Sequence, residues 1–80
     1  MLNREEVAAL LLQVMRITPS GTPKFEDAAE IAPQFRMAAA TVQELGFMEG
    51  NNYNRFNPKA GVTRAELTAI LSRVTNYLVQ

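Results

Sequence analysis

Arg4 and Arg64 are the side chains of this 80-residue sequence best placed to do chemistry, and they stand sixty positions apart in two versions of one segment. Leu2 to Val14 aligns without a gap on Val62 to Val74, with the arginine, the glutamate two places later, an alanine, a leucine and a valine identical. In each version Asn3 or Thr63 is a suitable N-cap, and Glu6 or Glu66, three places on, can reach back to the cap's own amide as a capping box. Leu2 and Val62 precede the caps while Val7 and Leu67 take the fourth helical position, the spacing of a hydrophobic staple. The first helical turn carries partial positive charge and unpaired N–H donors, so an arginine there works mildly against helix stability. A guanidinium fork beside those amides would instead receive a carboxylate or a phosphate. Pairing with a nearby acid, or plain exposure, is the other reading of both arginines.

What the chain lacks restricts the rest of its chemistry. Without histidine or cysteine there is no imidazole base, thiolate nucleophile or soft metal ligand, and Ser20 and Ser72 have nothing to activate them. Glu26, Asp27 and Glu30 offer carboxylates, but their spacing fits a helix start, with Asp27 as cap and Glu30 three places on. Asn51, Asn52 and Asn54 suggest a calcium loop, which would need more carboxylates and an acid where Val62 stands. The expectation is a protein that is not an enzyme and needs no cofactor and no metal.

Eight basic and eight acidic residues balance, which argues against nucleic acid as a partner, and against residues 64 to 78 as a DNA recognition helix. The distribution is uneven. Residues 51 to 80 carry Arg55, Lys59, Arg64 and Arg73 against Glu66, four minus one or +3, and residues 1 to 50 carry the compensating −3. No apolar run approaches a membrane span, so no membrane insertion is expected. Glu5 and Glu6 interrupt any secretory leader, so an exported parent would have lost its leader from this sequence.

The elements are set by period and punctuation. A first helix is expected from Arg4 to Arg16, with Val7, Leu10, Leu11, Val14 and Ile17 as its core stripe. A breaker-rich loop comes next, through Pro19, Gly21 and Pro23. A second helix should run from Pro33 or Gln34 to Leu45, with Phe35, Ala38, Ala39, Val42 and Leu45 on one face, its alanines admitting a close neighbour and Gly46 ending it. Residues 47 to 61 read as a compact structured loop, with Phe47, Met48 and Phe56 plugged into the core and Tyr53, Arg55 and Lys59 facing outward. The third helix starts at Thr63, with Leu67, Ile70, Leu71, Val74 and Leu78 as core. Self-similarity at a fixed offset marks repeated units that bury their apolar faces against one another, so the fold class is all-α, from a tandem helical array.

From Phe25 onward the sequence resembles the S-layer homology (SLH) domain family of exported bacterial proteins. The residues that carry this are Phe25-Glu26-Asp27, Glu44-Leu45-Gly46-Phe47-Met48-Glu49-Gly50, Phe56-Asn57-Pro58 and Val62-Thr63-Arg64-Ala65-Glu66-Leu67. The last stretch matches the family's hydrophobic-T-R-A-E helix start and is the most specific. The resemblance implies a helix–loop–helix module over residues 24–78, with residues 1–17 as the last helix of a preceding repeat, and T-R-A-E helices that pack together. It further implies secretion to the bacterial cell surface and non-catalytic anchoring there. The partner would be an anionic secondary cell-wall polysaccharide, often bound through a pyruvylated sugar. By that resemblance the anion-binding residues are Arg64 and, in the looser copy Asn3-Arg4-Glu5-Glu6, Arg4, with Gly50, Tyr53, Arg55 and Asp27 shaping the groove. The family's usual tryptophan near the first helix is absent, with Ile31, Ala32 and Pro33 in its place, and Asn51 to Arg55 replace its aromatic-Pro-Asp-Gly-Thr loop. An alternative within the same fold is an assembly module that packs with sibling repeats, or self-associates, without binding glycan.

Overall fold

The computed structural model describes residues 2–79. Three α-helices form: α1 (Arg4–Met15), α2 (Arg36–Leu45) and α3 (Arg64–Leu78), with two 3₁₀ turns, Ala28–Glu30 and Pro33–Phe35, between α1 and α2. Among the described residues there is no strand, only an isolated antiparallel bridge between Asn3 and Gly61. The protein is all-α, with the helix–loop–helix layout expected from its sequence.

Both capping boxes close. Asn3 Oδ1 accepts from the Glu6 amide at 3.0 Å while Glu6 Oε1 accepts from the Asn3 amide at 2.9 Å. Thr63 Oγ1 accepts from the Glu66 amide at 3.1 Å, and Glu66 Oε1 lies 3.4 Å from the Thr63 amide. α1 stops at Arg16, which turns left-handed (φ 58°) so that its own amide and that of Ile17 return to the last turn. α2 begins later than expected. Pro33 opens a 3₁₀ turn closed by Phe35 N to Ala32 O at 2.8 Å, and α-helical pairing starts at Arg36. Gly46, at φ 79°, ends α2 in the conformation that favours glycine.

The core lies between α1, α2 and the segments that flank α2. Ala8 and Leu12 of α1 meet Ala38, Ala39 and Val42 of α2, and the small alanines let the two helices approach closely. Phe25, Ile31, Phe47, Met48 and Phe56 complete the core from the loops, so three of the four phenylalanines are fully or nearly fully buried outside any helix. Full burial of each such ring stabilises by about 1.5–3 kcal/mol, which makes the loops as much a part of the core as the helices. Thr41 pins the linker after α1, accepting from the Ser20 amide at 2.9 Å and donating to Ser20 O at 3.1 Å.

The expected apolar stripes need correction. α1 buries Val7, Ala8 and Leu12, together with the carboxylate of Glu5, while Leu10 is 48 % and Val14 73 % exposed. α3 does the reverse: Ile70 and Val74, the counterparts of Leu10 and Val14, are buried, and Leu67, Leu71 and Leu78 are exposed. The stripe is wide enough to cover two faces of a helix, and each copy uses a different one. The two helix bodies also do not pack along each other as the resemblance implied. Their starts meet through the Asn3–Gly61 bridge, Val62 N to Leu2 O at 3.1 Å and Arg4 N to Ala60 O at 2.9 Å, whereas the close helix pair is α1 with α2.

Candidate ligand groove at the helix starts

Joining the two starts places Arg4 at the floor of a groove between α3 and the loop after α2. Two connected clefts, of about 220 and 320 Å³, share Arg4, Glu49, Gly50 and Glu66. The Arg4 side chain is only 14 % exposed and is fixed on three sides. Its Nε donates to Phe56 O at 2.6 Å, Nη1 to Glu66 Oε2 at 2.6 Å and Nη2 to Glu49 O at 2.8 Å, with the guanidinium carbon 5.0 Å from the centre of the Phe56 ring. Three of five N–H groups are thereby used, and two remain for a ligand.

The arginine is held by contacts that sequence spacing alone does not reveal. Asp27, 2 % exposed, accepts from the Phe56 amide with Oδ1 and from the Asn57 amide with Oδ2, both at 2.8 Å. That clamp fixes the Phe56 carbonyl against Arg4. Asp27 precedes the Ala28–Glu30 turn as expected, but it makes no side-chain cap bond there, because both oxygens are engaged across the fold. Its carboxylate therefore faces inward, not into the groove.

Gly50 lines both clefts, and a Cβ on it would come within 3.2 Å of both the Phe25 ring and the Asn54 backbone. Its lack of a side chain lets the loop close over Phe25. Asn51 Oδ1 accepts from the amides of Tyr53 (2.9 Å) and Arg55 (3.1 Å), and Asn54 and Asn57 take left-handed backbone conformations, φ 55° and 56°. These are local substitutes for a regular turn, which asparagine tolerates better than most residues. Tyr53 is exposed at the tip and lines neither cleft. Arg55 lines the larger cleft, and its Nη2 pairs with Glu30 at 2.8 Å, a solvent-exposed pair.

The concentration of positive charge near the second helix start is compensated by the first half of the chain. Arg55 pairs with Glu30, and Lys59 pairs with the buried Glu5 carboxylate, which also accepts from the Ala32 amide at 3.0 Å. Arg64 differs from both. It is exposed, lines neither cleft, and has no ion pair or side-chain hydrogen bond among the described residues. The backbone behaves unlike the expectation too: at α1 the amides of Arg4 and Glu5 are taken by Ala60 O and Pro58 O, so the groove offers guanidinium donors without free helix-start amides.

Glu66 is the acid that meets Arg4, and it does so from the other copy of the motif. Desolvation raises its pKa, but the hydrogen bonds from Thr63 and Arg4 and the Arg4 charge together outweigh this and hold its carboxyl below the ordinary value. Sequence reasoning missed four participants: Glu66 as the partner of Arg4, the carbonyls of Glu49 and Phe56, and Arg73, which lines the smaller cleft. Only the repeat itself held a usable signal, since a motif carrying both Arg and Glu can pair one copy with the next.

The helix–loop–helix body and the arginine groove at joined helix starts define a small all-α module. The chain belongs to the S-layer homology domain family, whose family model matches residues 24–68. Comparison with curated proteins and with solved structures gave no match. Domains of this family generally anchor proteins to the cell wall, bind secondary cell-wall polymers and are non-catalytic, and membership implies cell-surface or cell-wall association. No helix among the described residues is long and apolar enough to cross a membrane.

Proposed function

We propose that this module anchors a secreted bacterial protein by binding an anionic secondary cell-wall polysaccharide in the groove at the joined helix starts, with Arg4 as its charge partner. The observation that supports this most is the Arg4 guanidinium itself, immobilised in a cleft with two N–H groups unused. A donor array fixed before binding avoids much of the ordering cost that a free arginine would incur. Gly50 gives the groove its shape, Arg55 stands at its outer edge, and a pyruvylated sugar would present the carboxylate that suits a guanidinium. Asp27 acts through the loop it clamps. Arg64 takes the same role where a following repeat supplies the wall and the glutamate that α3 and its loop supply to Arg4, with residues 1–17 standing as the last helix of the repeat before.

The test is co-sedimentation with purified wall sacculi. The protein should pellet with native sacculi and remain soluble with sacculi chemically stripped of their anionic polymer. Arg4→Gln should weaken retention about tenfold or more, since hydrogen bonds to charged groups contribute about 1.5–3 kcal/mol. Equal pelleting of Arg4→Gln and the parent would remove the groove from the account.

The exposed face of α3 favours a second role, packing with sibling repeats. Leu67 and Leu71 lie outside where their counterparts Val7 and Leu11 are buried or half-buried against a module. On this reading, sedimentation of the protein should give a mass that rises with concentration and does not respond to added wall polymer.

A further inference from the structure

The far end of the smaller cleft holds a cation to which the anchoring role of Arg4 gives no part. Arg73 shares one face of α3 with Glu66, Ala69 and Ile70, and all four line the cleft. From position 66 to position 73 the helix rises roughly 10 Å. The cleft therefore has Arg4 and Glu66 at one end, a floor of Ala69 and Ile70, and Arg73 at the other. Arg73 is half-buried and donates one hydrogen bond, from Nη1 to Phe47 O at 3.3 Å. It has no carboxylate partner among the described residues. Four of its five N–H groups are therefore uncommitted, against two of five at Arg4.

The charges are local and do not add up to a field. Arg4 and Arg73 against Glu49 and Glu66 leave the smaller cleft formally neutral, and the Glu49 side chain is exposed on the opposite lip with no hydrogen bond of its own among the described residues. A ligand drawn in by net charge would find nothing to attract it. One whose negative groups are spaced to meet the two arginines, with an apolar sugar face over Ala69 and Ile70, would find both ends matched.

We infer that Arg73 is a second, specificity-setting anion contact, so that the groove takes a glycan segment with acidic groups on two separate sugars and not a single acidic end group. This rests on the wall-glycan reading of the groove, and the experiment separates the two. Protein bound to native sacculi is displaced with soluble uronic-acid sugars of one, two and three residues, which carry one, two and three carboxylates. The trimer should release the parent protein at a concentration at least tenfold below that of the monomer, counted per molecule and beyond the threefold expected from carboxylate number alone. In Arg73→Gln the advantage should shrink to that threefold, while Arg73→Lys, which keeps the charge, should retain most of it.

A purely structural role at the end of α2, through Phe47 O, would change the melting temperatures of these variants and leave the chain-length preference alone. Equal release per carboxylate by monomer and trimer, an undiminished preference in Arg73→Gln, or no release by any of the sugars would overturn the inference. Failure of the parent protein to bind sacculi at all would instead remove the reading beneath it.

Discussion

The start of α1 and the start of α3 share a motif and a capping box, yet the same arginine is immobilised in one and unpartnered among the described residues in the other. The difference lies in the elements that come after each helix in the chain. After α1 come a linker, α2 and a loop that fold back over Arg4, and then the second copy of the motif brings Glu66 to it. After Arg64 no such elements occur among the described residues. The two copies thus form one joint, to which the first gives an arginine and the second a glutamate. Glu6, the counterpart of Glu66, accepts within its own capping box and meets no arginine among the described residues.

The largest effect expected comes from removing what makes the surroundings of Arg4 unlike those of Arg64. Asp27→Ala strands the buried amide of Phe56 and the partly buried amide of Asn57 and frees the carbonyl that holds Arg4 Nε. Two orphaned donors at about 1–3 kcal/mol each predict a loss of roughly 3 kcal/mol, readable as a lower midpoint in urea unfolding. The coupling between Arg4 and Glu66, measured by a double-mutant cycle, should also fall in this background. An unchanged coupling would mean that the loop does not position the arginine.

Next in size is the direct contrast. Arg4→Ala removes three hydrogen bonds and the contact with the Phe56 ring, and should cost about 2–3 kcal/mol. Arg64→Ala, at an exposed position with no partner among the described residues, should stay within about 0.5 kcal/mol of the parent. Similar losses for the two variants would show that Arg64 has contacts equivalent to those of Arg4.

Much of this contrast lay beyond the reach of the sequence, for physical reasons. The capping boxes of α1 and α3, the end of α2 and the buried loop phenylalanines were legible because each depends on local chemistry: Asn3 with Glu6, Thr63 with Glu66, Gly46 at φ 79°, Phe47 and Phe56 among turn residues. The face each helix buries was not, because an apolar stripe as wide as Leu67, Ile70, Leu71 and Val74 satisfies two different neighbours, and only the tertiary fold selects one. Asp27 shows the same limit at the site. Its spacing to Glu30 fits a cap, but the amides it binds are 29 and 30 residues away, and one buried and one partly buried N–H group attract a carboxylate more strongly than an exposed 3₁₀ turn does. Arg4 and Arg64 looked equivalent because the sequence records a motif and not the order in which its neighbours fold onto it.

The smallest effect probes the joint through protons. Glu66 has its carboxyl held below the ordinary value in the folded protein, so its contribution is present above the unfolded value of about 4.3 and is lost as pH falls through the lower folded value. Stability of the parent relative to Glu66→Gln should therefore be greatest near neutral pH and shrink between about pH 5 and pH 3. The side chain is 37 % exposed, and solvent screening keeps the expected difference under about 1 kcal/mol. Urea midpoints for both proteins at pH 7, 5, 4 and 3 would resolve it. In an Arg4→Gln background the pH dependence should weaken but not vanish, because Thr63 continues to hydrogen-bond the carboxylate. A difference that stays constant across this range would show that the pairing of Arg4 with Glu66 adds nothing in solution, and the two helix starts would then differ in burial alone.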